Sequence, residues 1–182
     1  MSAVVVFESM FGNTEKIARA IADGVRSGLG ASPADVAVLE VGTAPDRLDD
    51  EVSLLVAGGP THAFGMTRPS TRDDARKLAG DTVVSHGIGL REWLDSVTID
   101  RSDLTTATFD TRIDKVRHLP GSAARGAAKL LRRRGHAVLV PPQSFYVSDT
   151  AGPLSDGEID HARRWGEEVG RAYRDLRTRT GA

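Results

Sequence analysis

The N-terminal stretch VVVFESMFGNTEKI constrains the fold more than any other part of the chain, because an apolar strand leads directly into a polar loop and a helix. Val4–Phe7 is an unbroken β-branched and aromatic run, which is typical of a parallel strand covered on both faces. The loop Ser9–Thr14 follows, and apolar residues then recur at helical spacing at Ile17, Ile21 and Val25. A helix start carries unpaired N–H groups and partial positive charge, so this loop is suited to binding an anion such as phosphate. Serine, threonine and asparagine also cap ordinary helices, so the loop taken alone favours both interpretations equally.

Apolar strands alternate with helical segments along the rest of the chain. The predicted strands are Val36–Val41, Val52–Ala57, Thr106–Asp110 and a last one made of Ala137–Val140 and Ser144–Val147, interrupted by Pro141-Pro142. The predicted helices are Thr14–Ser27, a short one from Ser70 or Thr71 to Leu78, Gly87–Val97, Ser122–Arg134 and one that follows a capping box at Ser155–Glu158. This alternation indicates a parallel sheet with right-handed crossovers, in which ligands bind at the carboxyl ends of the strands.

Composition argues against several classes of partner and cofactor. The chain has 24 Lys and Arg against 25 Asp and Glu, so no overall field favours nucleic acid or an anionic membrane. The absence of cysteine excludes disulfides, thiolate metal sites and iron–sulfur ligation. The N-terminus has no charged leader and no apolar run of about 20 residues occurs, so we expect a cytoplasmic protein. A length of 182 residues fits one domain.

Other chemistry is weakly supported by the sequence. There is no P-loop, no complete dinucleotide fingerprint and no G-x-S-x-G elbow, and the five histidines lack metal-ligand spacing. A phospho-acceptor site would need acidic residues after strands 1 and 3; Glu8 is available, but strand 3 runs into Gly-Gly-Pro. The triplet Arg132–Arg134 falls at a predicted helix end, where the macrodipole favours cations, and is interpreted as solvated.

The loop Ser9-Met-Phe-Gly-Asn-Thr14 resembles the (S/T)-x-x-G-N-T loop with which flavodoxins and their relatives bind the phosphate of FMN. Agreement extends to Gly58–His62, Asp110–Arg112, and Ser144–Val147 followed by Gly152–Glu158, so the resemblance covers essentially the whole chain. It implies one flavodoxin-like domain over residues 1–182. The implied fold is an α/β three-layer α-β-α sandwich with a five-stranded parallel sheet in the order 2-1-3-4-5. FMN would then lie at the switch point between strands 1 and 3.

The resemblance assigns cofactor-binding residues in three groups and assigns no catalytic residue and no metal. The phosphate would be wrapped by Ser9, Met10, Phe11, Gly12, Asn13 and Thr14. One side of the isoalloxazine ring would be covered by Pro60, Thr61, His62, Ala63, Phe64 and Gly65. The loop on the other side would begin at Asp110, Thr111 and Arg112 and be closed by Gly121 and Ser122.

These loops depart from the flavodoxin pattern in charge and in aromatic content. Flavodoxins that carry electrons at low potential stack aromatic residues on the flavin and surround it with acidic side chains. Here the second loop has no aromatic residue between Asp110 and Gly121. The cations in the loops are Arg68, Arg72, Arg112, Lys115 and Arg117, partly offset by Asp73, Asp74 and Asp114. Cations close to the ring would raise the reduction potential of the flavin by on the order of 100 mV, because they stabilise its reduced form. This effect is lost if the cations pair with the aspartates or face solvent.

Three functions remain open on the sequence. We expect an FMN-binding electron carrier that exchanges electrons with a redox partner protein or a small-molecule acceptor, as a monomer or weak homodimer. An FMN-dependent NAD(P)H:quinone-type reductase is the first alternative, and a flavin-free interaction module is the second. Spacing does not decide whether Met66–Leu78 covers the site as a lid or lies on the surface as an insertion.

Overall fold

A parallel β-sheet forms the centre of the computed structural model, which describes residues 2–30 and 35–180. The strands are β1 (Ser2–Phe7), β2 (Val36–Glu40), β3 (Val52–Pro60), β4 (Thr105–Ile113), β5 (Ala137–Val138) and β6 (Gln143–Val147). Their order is β2-β1-β3-β4, and both β5 and β6 pair with β4 in parallel. Because β5 and β6 are two segments of one edge strand on either side of Pro141-Pro142, the predicted order 2-1-3-4-5 is confirmed.

Helices cover both faces of the sheet. They are α1 (Asn13–Leu29), α2 (Pro69–Ala79), α3 (Leu90–Ser96), α4 (Ala123–Arg133) and α5 (Glu158–Thr180), with 3₁₀ turns at Gly80–Thr82 and Asp114–Val116. Alternate residues of β1 point to opposite faces. Val5 and Phe7 belong to the core beneath α1 and α5, whereas Val4 and Val6 belong to the core beneath α3 and α4. The predicted three-layer α-β-α sandwich is therefore confirmed.

The strands that lead to the ligand edge are longer than the sequence pattern predicted. β3 continues through Gly58-Gly59 to Pro60, although the glycines suggested a turn after Ala57. A Cβ atom on Gly58 would lie 2.4 Å from the ring of Phe109, so glycine is needed here for close packing between strands. β4 likewise extends to Ile113, which places Thr111 and Arg112 in the strand and not in a loop.

Two predicted helix ends also differ. The first helix was predicted to end at Ser27, with Gly28 and Gly30 as suitable stops; Gly28 lies inside α1, whereas Gly30, with φ 64°, is the C-cap that follows Leu29. The capping box before α5 is not formed, because the carboxylate of Glu158 accepts a hydrogen bond from Tyr146 N at 3.0 Å. The helix α5 continues to Thr180, and residues 181–182 lie outside the described part of the chain.

The described residues contain no helix that is both long and apolar enough to cross a membrane. Within the same ranges no group of three or more His, Cys, Asp or Glu side chains could hold a metal ion.

Candidate functional site

A narrow cleft opens at the edge of the sheet where β1, β3, β4 and β6 end. Its volume is about 50 Å³. The lining residues are Met10, Phe11, Asn13, Thr14, Pro60, Thr61, His62, Thr111, Arg112, Ile113, Val147 and Thr150. All three segments that the sequence assigned to cofactor binding therefore contribute to one cleft. The cleft has room for a small group, and is well below the roughly 300–1,000 Å³ of a site that encloses a whole ligand.

A wide groove of about 360 Å³ adjoins the cleft and shares Thr61, His62, Ile113 and Thr150 with it. Ala63 also lines this groove, and the opposite side is formed by Thr71, Asp74, Ala75 and Leu78 of α2. Sequence reasoning missed Val147 and Thr150, although their position after the last strand is the signal that could have indicated them. The contribution of α2 had no such signal, because helix periodicity does not say where a helix packs.

The start of α1 leaves backbone donors free at the cleft. Gly12 is at the N-cap position with φ 79° and, as a glycine, has no side chain to cap the helix. The N–H groups of residues 10–14 donate to no acceptor within the described ranges; the first helical bond there is from Lys16 N to Gly12 O, at 3.1 Å. A row of unpaired N–H groups at a helix start is an anion-binding arrangement. The loop therefore has the free main-chain donors that an anion site requires.

The side chains of the loop hold it in place. Asn13 Nδ2 donates to Ala151 O at 2.9 Å, and the hydroxyls of Thr14 and Thr111 are 2.7 Å apart. Ser9 Oγ accepts from Glu15 N at 3.3 Å. These bonds fix the loop against the carboxyl end of β4 and the turn after β6. The main-chain N–H groups are thus the principal donors that remain for a ligand.

The back of the loop packs against α2 and the segment after it. Met10 is 1 % exposed and clusters with Ala75 and Val83. Ser85 N donates to Ser9 O at 2.8 Å, and Ser9 N donates to the Ser85 hydroxyl at 2.9 Å. Ser9 is therefore a buried structural residue of the loop, outside the lining of the cleft.

A buried polar cluster fixes the segment Met66–Leu78 to the end of β1. Thr67 Oγ1 donates to Glu8 at 2.6 Å, and Leu90 N donates to the other carboxylate oxygen at 2.8 Å. Arg72 bonds the Thr67 hydroxyl at 3.2 Å and both carboxylate oxygens of Glu92 at 3.1 Å. Burial raises the pKa of Glu8, against the hydrogen bonds that favour its charged form. The segment is therefore a fixed side of the wide groove, and Arg72 is paired within this cluster.

Asp110 and Ser122 accept hydrogen bonds from N–H groups at the start of α4. The buried Asp110 carboxylate accepts from Thr61 Oγ1 at 2.8 Å and from Ala124 N at 3.0 Å. Ala123 N donates to the Thr61 hydroxyl at 2.8 Å, and Ser122 caps the helix by accepting from Arg125 N at 3.1 Å. A carboxylate at a helix N-terminus is stabilised by the macrodipole. These contacts join the ends of β3 and β4 and keep the Asp110 carboxylate out of the cleft lining.

The turn after β3 has an uncommon backbone. His62 and Gly65 exchange two main-chain hydrogen bonds, at 3.0 and 3.1 Å, around Ala63 and Phe64, which have φ 45° and 66°. Gly121, at φ 87°, packs below the turn, since a Cβ atom there would lie 2.5 Å from Phe64 O. Phe64, Gly65 and Gly121 therefore contact one another on the α4 side and do not line the cleft. Burial lowers the pKa of His62 below its ordinary value of 6.5, so the imidazole is neutral at pH 7.

The loop cations differ in their surroundings. Arg112 is 6 % exposed and donates to the carbonyls of Val116 at 2.8 Å, Gly121 at 3.1 Å and Leu119 at 3.2 Å. It lines the cleft and forms no ion pair with a described carboxylate. Of the other four loop cations, Arg117 pairs with Asp114 at 3.3 Å and the buried Arg72 pairs with Glu92, as described above. Arg68 and Lys115 are exposed.

Comparison with solved structures finds proteins of the same architecture. A flavodoxin from the domain Archaea has a TM-score of 0.61 at 21% identity, covering 93% of this chain and 96% of that one. A Streptococcus pneumonia TIGR4 flavodoxin has a TM-score of 0.60 at 19% identity, covering 93% and 97%. A WrbA-like flavodoxin from Agrobacterium tumefaciens has a TM-score of 0.57 at 16% identity, covering 96% and 98%. No protein-family model matches the sequence, and comparison with curated proteins finds no match. The chain has a flavodoxin-like fold.

Proposed function

We propose that this protein binds FMN and transfers electrons, with the FMN phosphate at the start of α1. The observation that carries the proposal is the set of unpaired N–H groups of residues 10–14, four of which belong to residues that line a cleft the size of a small group. Several N–H donors at a helix start satisfy a phosphate dianion without a lysine. When bound, the flavin accepts and returns electrons reversibly.

The wide groove is the proposed place of the isoalloxazine ring. The loops Pro60–Gly65 and Asp110–Ser122 bound it through Thr61, His62, Ala63 and Ile113, with α2 opposite. Because the groove is joined to the cleft, one ligand can extend through both. Among these predicted residues, Asp110, Gly121 and Ser122 would act by holding the loops, as their contacts with Thr61, Phe64 and α4 indicate.

Electron transfer to and from a redox partner protein is the proposed role. His62 is neutral and Arg112 is bonded to three carbonyls, so neither provides a ready proton donor near pH 7. A carrier needs no such group, because it only has to hold the cofactor at an accessible edge. The flavodoxin-like fold supports the same role.

The first test is titration of the cofactor-free protein with FMN. We expect FMN fluorescence to be quenched and the melting temperature to rise with FMN concentration. Thr14→Ala and Asn13→Ala remove the bonds that fix the loop to β4 and to Ala151, and each should weaken FMN binding about 5- to 30-fold. Thr111→Val, which removes the partner hydroxyl of Thr14, should act like Thr14→Ala.

Arg132→Ala is the matched control, since Arg132 is exposed at the far end of α4 and should leave FMN affinity unchanged. Absence of quenching and of any thermal shift would contradict the proposal and favour the flavin-free module. Rapid oxidation of NADH or NADPH by the FMN-loaded protein in the presence of a quinone would identify an enzyme in place of a carrier.

A further inference from the structure

A second groove lies on the α3–α4 side of the turn that contains Phe64. It has a volume of about 400 Å³, and the cations Arg91, Arg125, Lys129 and Arg133 line it together with Phe64 and one acidic residue, Asp95. We call this surface the basic groove. It is distinct from the cleft and the wide groove, with which it shares no lining residue.

Within the described residues, no ion pair compensates the cations of the basic groove, and Asp95 is the one acid in its lining. Arg125, Lys129 and Arg133 are spaced four residues apart on α4, which makes a row about 12 Å long. Like charges at this spacing repel one another. No described carboxylate lies within ion-pair distance of these residues or of Arg91, which donates only to main-chain carbonyls. On the opposite helices, by contrast, exposed arginines pair with acids one turn away: Arg19–Glu15, Arg163–Asp160 and Arg171–Glu167.

Phe64 adds an apolar group at the end of this row. This residue is 56 % exposed although its backbone is at φ 66°, a conformation that is unfavourable for a bulky residue. More than half of the residue's surface is open to solvent, so burial within the chain does not explain an aromatic residue at this position. Exposed aromatic side chains flanked by arginine are typical of the centres of protein interfaces.

We propose that the basic groove and Phe64 form a docking surface for an acidic protein, which is the electron-transfer partner; the identity of this partner as a redox protein rests on the proposed function. The extended row of cations matches an acidic surface better than a single phosphate. The whole chain has a net charge of −1, so the positive potential is local to this face and would orient an incoming acidic protein. Because Phe64 belongs to the turn that also contains His62 and Ala63, a protein docked here lies next to the wide groove.

The test is an NMR titration of the ¹⁵N-labelled full chain, with and without added FMN, using a decapeptide of glutamate as the acidic probe. We expect shift changes centred on Phe64, Arg91, Arg125 and Lys129, and an affinity that falls at least tenfold between 20 and 200 mM salt. The triple variant Arg125→Glu, Lys129→Glu and Arg133→Glu reverses the charge of the row and should weaken peptide binding at least tenfold.

The matched control is Arg164→Glu, Arg174→Glu and Arg179→Glu on α5, which changes the net charge equally on the other face and should alter affinity less than threefold. Shift changes centred elsewhere, absence of binding, or equal losses in both triple variants would overturn the proposal. The proposal would also be overturned if NADPH changed the chemical shifts of the same residues at a lower concentration than the peptide, since the groove would then be a nucleotide site. Failure of FMN to bind, with the peptide still mapping to the groove, would overturn only the electron-transfer role.

Discussion

Phe64 and Ala63 show how much backbone strain a single turn of this protein contains. Phe64→Gly and Phe64→Ala both remove the exposed ring, but only glycine adopts positive φ without steric cost. We expect Phe64→Gly to have a free energy of unfolding about 1 kcal/mol higher than Phe64→Ala in urea denaturation. Equal stability of the two variants would mean that the turn is not strained.

Glu8 gives the molecule a pH dependence of stability that is opposite to that of a carboxylate whose pKa is lowered by an ion pair. Burial raises its pKa in the folded state above its ordinary value of 4.5. The folded state therefore holds this proton more tightly than the unfolded state, and stability falls as pH rises from about 4.5 through the raised pKa. Glu8→Gln has no such titration, so urea denaturation at several pH values should show wild type losing stability relative to Glu8→Gln over that interval.

Glu92 is the matched control, because its pKa is shifted in the opposite direction to that of Glu8. Burial opposes its charge, but the hydrogen bonds and charge of Arg72 outweigh burial and lower the pKa below 4.5. Its contribution is present above pH 4.5 and is lost as pH falls through the lowered pKa. Glu92→Gln should therefore cost stability at pH 7 and cost less in acid. A Glu8→Gln variant that behaved the same way would contradict the raised pKa of Glu8.

The positions of site residues could be predicted better than their roles. Thr14, Thr61 and Thr111 lie at or beyond the carboxyl ends of parallel strands. Those ends meet at one edge of the sheet, independently of what the side chains contact. What Arg72 or Asp110 contacts depends on partners 20 and 14 residues away, Glu92 and Ala124, and one sequence does not reveal such pairings. For this reason Arg72, predicted beside the flavin, is found buried and paired with the half-buried Glu92.

At the scale of elements, helical and strand periodicity predicted the layers, whereas glycines were misinterpreted. Gly58 and Gly28 were interpreted as ends of a strand and a helix, because glycine often ends both. In the structure each allows two elements to approach closely, Gly58 against the ring of Phe109 and Gly28 against the backbone of α5. Close approach is a property of a pair of elements, and the pattern of one element does not show it.

The α1–α5 pair depends on four such glycines. A Cβ atom on Gly24, Gly28, Gly166 or Gly170 would lie 2.0 to 2.6 Å from a carbonyl oxygen of the facing helix. The spacing of four residues within each helix is the sequence signal that could have revealed this contact. We expect Gly166→Ala to lower the free energy of unfolding by about 1–3 kcal/mol, despite the higher helix propensity of alanine.

Gly126→Ala provides the comparison in thermal or urea unfolding. Gly126 is also inside a helix, but a Cβ atom there would meet only Met66, at an ordinary 3.5 Å. Alanine should therefore be neutral or stabilising by up to about 1 kcal/mol at this position. If Gly166→Ala were equally harmless, the two helices would not be in backbone contact.

At the scale of the whole molecule, positive charge is distributed over two sides of the ligand edge. Asp73 and Asp74, expected to offset Arg68 and Arg72, pair instead with Arg76 and Lys77. Arg112 is thus the buried cation that lines the cleft, and the basic groove carries its own row on the other side of the Phe64 turn. The charge of Arg112 would act on the proposed cofactor, and the charge of the basic groove on the proposed partner protein.

Arg112 should raise the reduction potential of FMN-loaded protein. Arg112 lines the cleft that adjoins the groove proposed for the ring, and a buried cation at that distance still favours the negative charge that a flavin gains on reduction. The carbonyls bonded to Arg112 do not cancel its charge. In a redox titration we expect Arg112→Gln to lower the potential by on the order of 50–100 mV. Arg112→Lys, which keeps the charge but makes fewer carbonyl contacts, should retain most of the wild-type potential, and Arg132→Gln should not change it. Equal potentials in the Gln and Lys variants would show that Arg112 acts by holding the loop and not by its charge.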